Sequence, residues 1–82
     1  PIFSMQKEII FQNQFLEMLS NGTKEFSSAA LNFFNVHHLN LQNAVFESCN
    51  ITGCLFEDCD FRNAIFRNCT IYYTGFHTSL AE

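Results

Sequence analysis

The chain has no tryptophan, one proline and three glycines, and only 15% of its residues are charged. So little glycine leaves no phosphate-cradling loop and no dinucleotide fingerprint. Four Lys and Arg against eight Asp and Glu give a net charge of −4. That balance disfavours a phosphate backbone as ligand, so no nucleic-acid partner is expected. No apolar run approaches membrane-spanning length, so no membrane segment is expected within this sequence, and no cleavable signal is visible. Pro1 in place of an initiator Met reads as the start of an excised piece. With so few charges, solubility must rest on Asn, Gln, Ser and Thr. What is abundant is apolar: 48% hydrophobic residues, eleven of them Phe, which excludes a disordered chain. Eighty-two residues make a small core.

The apolar residues are ordered. From Phe26 onward one recurs every five positions: Phe26, Leu31, Val36, Leu41, Phe46, Ile51, Phe56, Phe61, Phe66, Ile71 and Phe76. A single unbroken phase of this length has a chance probability on the order of one in a thousand at this composition. Neither an α-helix nor an ordinary strand has that period, so it marks an internal structural repeat. Two places before these residues stand small ones: Ala44, Cys49, Cys54, Cys59, Ala64, Cys69, Thr74 and Ser79. Phe34 and Leu39 hold that place at the front, which predicts a wider or less regular first coil.

Alternation of one large and one small inward residue resembles the pentapeptide-repeat proteins, notably at Ala44-Val45-Phe46, Cys59-Asp60-Phe61 and Ala64-Ile65-Phe66. The likeness covers about residues 26–80 and is specific for fold rather than function. It implies an all-β solenoid: a right-handed quadrilateral β-helix, one five-residue unit per side and twenty residues per coil. About three coils would form, from residues 23–82. Residues twenty apart should then stack, and like does fall on like. Phe26, Phe46 and Phe66 make one column, Leu31, Ile51 and Ile71 a second, Val36, Phe56 and Phe76 a third, and Leu41 with Phe61 a fourth. Ala44 falls on Ala64, Cys49 on Cys69, and Glu47 on Arg67 as a surface ion pair. Asn43, Ser48, Gly53, Asp58, Asn63 and Asn68 are turn formers at the corners, suited to bonding backbone amides.

Residues 1–22 break the period. Ser4 could cap a helix over residues 5–20, with Met5, Ile9, Phe15, Leu16 and Leu19 on its apolar side and Asn21-Gly22 as its stop. A solenoid needs such a cover over its end coil. The rival is an extra partial coil, since Phe11 and Leu16 fall in the repeat phase. Nothing comparable follows Thr78, so the C-terminal coil end is a candidate homodimer contact or the scar of a truncation.

Catalytic, cofactor and metal sites are not expected. The four cysteines match no common zinc spacing and read as small core residues, although neighbouring coils would bring Cys49 and Cys69 within disulfide range. His37, His38 and His77 read as solvated. Glu57, Asp58 and Asp60 read as a hydrated corner on a convex rod that lacks an enclosing cleft. Outward apolar residues are more informative: Val45 and Ile65 on one side, Leu55 on another, and Tyr72 and Tyr73 at a corner, together a candidate interface. Sequons at Asn21, Asn50 and Asn68 are candidate glycosylation sites.

These features favour a non-catalytic interaction module that binds an unidentified protein through its side faces or coil end. Such a module suits a bacterial cytoplasmic protein or a secreted effector. Residues Phe66–Ile71 with Thr74 and Phe76 also look like the luminal pentapeptide loop of synaptic-vesicle glycoprotein transporters. That resemblance implies a glycosylated eukaryotic luminal domain, a receptor for a protein ligand such as a clostridial neurotoxin. A third reading, resemblance to family members that mimic DNA and modulate topoisomerases, suffers from a short and weakly acidic rod.

Overall fold

A computed structural model describes residues 7–81 of the chain. After β1 (Glu8–Ile10) and α1 (Gln12–Ser20) come nine short strands. They are β2 (Glu25–Ser27), β3 (Ala29–Asn32), β4 (Asn35–His37), β5 (Val45–Glu47), β6 (Asn50–Thr52), β7 (Leu55–Glu57), β8 (Ile65–Arg67), β9 (Thr70–Tyr72) and β10 (Gly75–His77). All pairings are parallel and none joins strands consecutive in sequence. Three sheets result, ordered β2-β5-β8, β1-β3-β6-β9 and β10-β7-β4. They form three sides of a quadrilateral β-helix. The fourth side is held by single bridges from Asn40 to Asp60 and from Asp60 to Leu80.

From β2 onward the register is twenty residues. Phe26 faces Phe46 and Phe46 faces Phe66; Leu31 faces Ile51, which faces Ile71; Val36 and Phe76 both face Phe56. Phe rings repeated at the inter-strand spacing have to stack face to face. Phe46 and Phe66 do so with centroids 4.8 Å apart and 4° between planes, and Phe56 and Phe76 at 5.5 Å and 9°. Phe61 enters from the fourth side edge-on, 5.4 Å from Phe56.

Corners follow the same period. Ser28, Phe33, His38, Asn43, Ser48, Gly53, Asp58, Asn63, Asn68, Tyr73 and Thr78 all have positive φ, between 49° and 66°. Asn, Asp and Gly tolerate this left-handed conformation; at Phe33 and Tyr73 the coil imposes it. Expected side-chain bonds from the corner residues to backbone amides are not what bends the chain. On the fourth side Asn40 Oδ1 accepts from the Gln42 N–H and Asp60 Oδ1 from the Arg62 N–H. Ala44 and Ala64 N–H groups close turns onto the carbonyls of Leu41 and Phe61.

Over the first coil the expected helix is shorter, and a strand precedes it. Ser4 and Met5 lie outside the described residues, and Glu8–Ile10 is extended. β1 pairs with β3, Ile9 against Ala30 and Ile10 against Leu31, an offset of twenty-one. Two adjacent β-branched residues satisfy the bare sheet edge better than a helix start would. The offset makes Ile10 the inward residue and leaves Phe11 exposed, so the five-residue phase stops short of Phe11 and Leu16. Helix α1 begins after Phe11, whose N–H donates to Gln14 Oε1, and ends where the Thr23 N–H bonds the Met18 carbonyl across Gly22. Phe15, at 0% exposure, enters the mouth of the first coil, 5.0 Å from Phe26 and 5.3 Å from Phe34. A large residue at position 34 thus contacts the plug, while β4 keeps its twenty-residue register with β7.

Candidate functional site: the open coil end and the solenoid sides

Each coil end exposes strand edges, and the two ends differ. At the N-terminal end Phe15, β1 and the half-buried Leu16, Met18 and Leu19 cover the core. At the C-terminal end Ile71 and Phe76 are each 41% exposed. With Phe61, Phe66, Ser79 and Ala81 they line an apolar depression of about 260 Å³. Backbone polarity is unmatched there as well. Corner N–H groups along the rod donate to the next coil, Ser48 to the Arg67 carbonyl and Gly53 to that of Tyr72. Among the described residues the corresponding N–H groups of Asn68, Tyr73 and Thr78 meet no backbone acceptor.

A second ladder runs along the small inward positions. Cys49, Cys54 and Cys69 donate their S–H to the carbonyls of Phe26, Leu31 and Phe46. Thr74 and Ser79 donate their O–H to those of Ile51 and Phe56. In return Sγ of Cys54 and Cys69 accepts from the N–H of Phe34 and Cys49. Oγ of Thr74 and Ser79 accepts from the N–H of Cys54 and Cys59. Burial pushes the thiols of Cys49, Cys54 and Cys59 above their ordinary range, which keeps them protonated and able to donate. All four cysteines are free. Sγ of Cys49 and Cys69 are each directed to a carbonyl in the coil before, so the disulfide allowed by the spacing is not formed. Sequence reading caught the size of these residues and missed their bonding; the signal was the choice of Cys, Thr and Ser where Ala would fill the space.

The carboxylates expected to cluster are individually engaged. Glu57 Oε1 lies 2.8 Å from His37 Nδ1, so His37 is not merely solvated. Asp58 accepts from the Thr78 hydroxyl. Asp60 takes three bonds from the Arg62 guanidinium, and that neighbour holds its carboxyl below the usual carboxylate range. A groove of about 380 Å³ runs beside them, lined among others by His38, Asn40, Asp58, Asp60 and Leu80. Among the described residues no group of three His, Cys, Asp or Glu is arranged to hold a metal ion, and no helix is long and apolar enough to cross a membrane. Arg67 reaches Glu47 at 3.2 Å, where Asn68 Nδ2 also donates.

The outward apolar residues divide among the sides. Val45, half-buried, and Ile65, exposed, share the β5–β8 ladder. Leu55 lies on β7 between Asn35 and Gly75. Tyr72 and Tyr73 sit at the far corner of β9, rings 4.3 Å apart. Sequence reading passed over two companions, Phe11 and Phe33, both strongly exposed. Phe33 could have been found from the twenty-residue register, which places it in the corner column of Gly53 and Tyr73. Of the sequons, Asn21 is exposed just past α1, Asn50 is half-buried in β6 and Asn68 is an exposed corner.

Neither a search of curated proteins nor a search of solved structures finds a match. A family model described as pentapeptide repeats, nine copies, matches residues 39–80, half of the chain. With the twenty-residue register and the left-handed corner at every fifth residue, this places the chain in the pentapeptide-repeat family.

Proposed function

We propose that this chain is a non-catalytic interaction module whose partner seats on the open C-terminal coil end, and that the partner there is a second copy. The uncapped edge carries the reading: exposed Ile71 and Phe76 above the depression, with backbone donors still available. An open strand edge is a template for further pairing, and a two-fold axis lets one edge serve as its own complement. Charge favours the same choice. Residues 63–81 hold a single Lys, Arg, Asp or Glu, namely Arg67, and Glu47 already pairs with it. The end coil is thus poor in charge, Glu82 being the one carboxylate that follows in sequence. Sedimentation velocity at rising concentration should show a dimer, weakened by Phe76→Glu and by Ala81→Glu at the rim of the depression. A monomer at all concentrations, or a dimer indifferent to both variants, would remove the reading.

A second reading, a glycosylated luminal domain that receives a protein ligand, draws support from Asn21. It stands exposed in the turn after α1, within Asn21-Gly22-Thr23. Expression in a secretory eukaryotic host should give glycosidase-sensitive mass that Asn21→Gln lowers by one glycan. Unmodified protein from that host would exclude it.

A further inference from the structure

Charge is distributed unevenly around the rod. Residues 29–36, 49–56 and 69–76 contain no Lys, Arg, Asp, Glu or His. The twenty-residue register stacks these three segments directly, so β3, β6 and β9, their far corner and the start of the next side form one uncharged surface, bordered by β1, whose exposed Glu8 lies against Ala29. Phe33 and Tyr73 stand 75% and 81% exposed at that corner, and Tyr72 and Phe11 are exposed beside it. The Phe33 ring leans over Gly53, where an added Cβ would lie 2.5 Å from its Cδ1. Glycine at this corner thus gives the ring its place on the surface.

Between and beside the rings are amides and hydroxyls: Asn32, Asn50, Thr52, Thr70 and Asn35. Among the described residues none of these side chains makes a hydrogen bond within the protein, whereas Asn40, Asp60, Glu47 and Asn68 on the charged sides are all committed. Exposed rings, uncommitted uncharged hydrogen-bonding groups and an absence of charge are the requirements of one ligand class. Sugar rings present apolar C–H faces to aromatic rings and hydroxyls to amides. An anionic polymer would find one cation at the border, Lys7, already held by the Ser48 carbonyl, and a protein interface core would call for a more continuous apolar patch. We infer that this side is a binding surface for a neutral oligosaccharide.

Unglycosylated, isotope-labelled full chain should be titrated separately with cellohexaose, chitohexaose, maltohexaose and xylohexaose, with a heparin hexasaccharide as the anionic control. At least one neutral sugar should shift backbone amide resonances in residues 29–35, 50–55 and 70–75. Heparin should leave those resonances unmoved. Phe33→Asn and Tyr73→Asn remove the rings and retain a residue that tolerates positive φ, so the fold is preserved; each should weaken binding about tenfold or more. The inference falls if no neutral sugar acts at millimolar concentration, if the shifts survive both variants, or if heparin binds the same residues. It falls equally if the resonances of residues 29–35 and 50–55 move with concentration alone in the Phe76→Glu chain, whose coil end no longer pairs, because that would assign the side to a second copy. Phe76→Glu, directed at the coil end, should leave sugar binding intact, so failure of the end-to-end dimer and failure of this surface are told apart.

Discussion

One end of this solenoid is closed by sequence that abandons the repeat, whereas at the other the repeat runs to the last of the described residues with its final coil exposed. At the N-terminal end Phe15 is wholly buried among Phe26, Phe34 and Phe46, and β1 takes up the hydrogen bonds of β3. At the C-terminal end the same columns reach Phe66, Ile71 and Phe76, which are only half-buried or exposed. A five-residue repeat therefore builds sides well and ends badly, because each coil supplies half of the burial its neighbour needs. Closure requires a foreign element, here a helix with one large aromatic residue turned inward. An uncovered end is where a stacking interaction can still be gained.

The contrast predicts unequal costs for like substitutions. Phe15→Ala and Phe56→Ala each empty a closed site and should cost about 3–5 kcal/mol, enough to unfold much of a domain this small at ordinary temperature. Phe76→Ala, in the same column as Phe56 but 41% exposed, should cost less than half as much in the monomer. Urea unfolding at low protein concentration checks this. Equal losses at positions 56 and 76 would mean that the C-terminal end is covered in solution. Phe66, one coil beyond Phe46 and half-buried, should fall between.

Much of this architecture was legible because a solenoid repeats its constraints. Phe26, Phe46 and Phe66 announce their column through identity at n, n + 20 and n + 40, and no long-range guess is required. The N-terminal cover was less legible because it occurs once. Apolar residues at 9, 15, 16 and 19 suit a helix throughout, and only the bare edge of β3, a tertiary fact, draws Glu8–Ile10 into a strand. The sites were legible in part. Tyr72 and Tyr73 stand out as apolar residues in outward phase. Phe33 falls outside both the large and the small inward phases, and its exposure goes with the positive φ of its corner. Hydrogen bonding by the cysteines was hidden because Cys counts as a small apolar residue until the carbonyl twenty-three positions earlier is in view.

That second ladder sharpens the comparison on a smaller scale. Replacing Cys54 by Val keeps most of the volume but leaves the Leu31 carbonyl and the Phe34 N–H without their partner, each in a buried setting. A loss of about 1–3 kcal/mol is expected, largely restored by Cys54→Ser. At the half-buried Cys69, which bridges the Phe46 carbonyl and the Cys49 N–H, the same Val substitution should cost less, since water reaches that coil. Thermal unfolding of the three variants provides the measurement. If Val proved harmless at both positions, the thiol bonds would be incidental to packing.

The smallest expected effect concerns the fourth side, where turns and single bridges replace strands. Asp60 caps its turn by accepting from the Arg62 N–H and is held by the Arg62 guanidinium, which lowers its folded-state carboxyl below the ordinary range. A group whose folded pKa is depressed contributes stability above its unfolded value, about 3.9. That contribution disappears as pH falls through the lowered folded value. Arg62→Gln should therefore destabilise slightly at pH 6 to 7, and the gap to the parent chain should narrow as pH is taken below about 4. The pair is solvated, so added salt should also shrink the gap at neutral pH. Urea midpoints for both chains at pH 7, 4 and 3, with an NMR titration of Asp60, measure it. A gap unchanged across that range would show that Arg62 acts on this side through packing rather than charge.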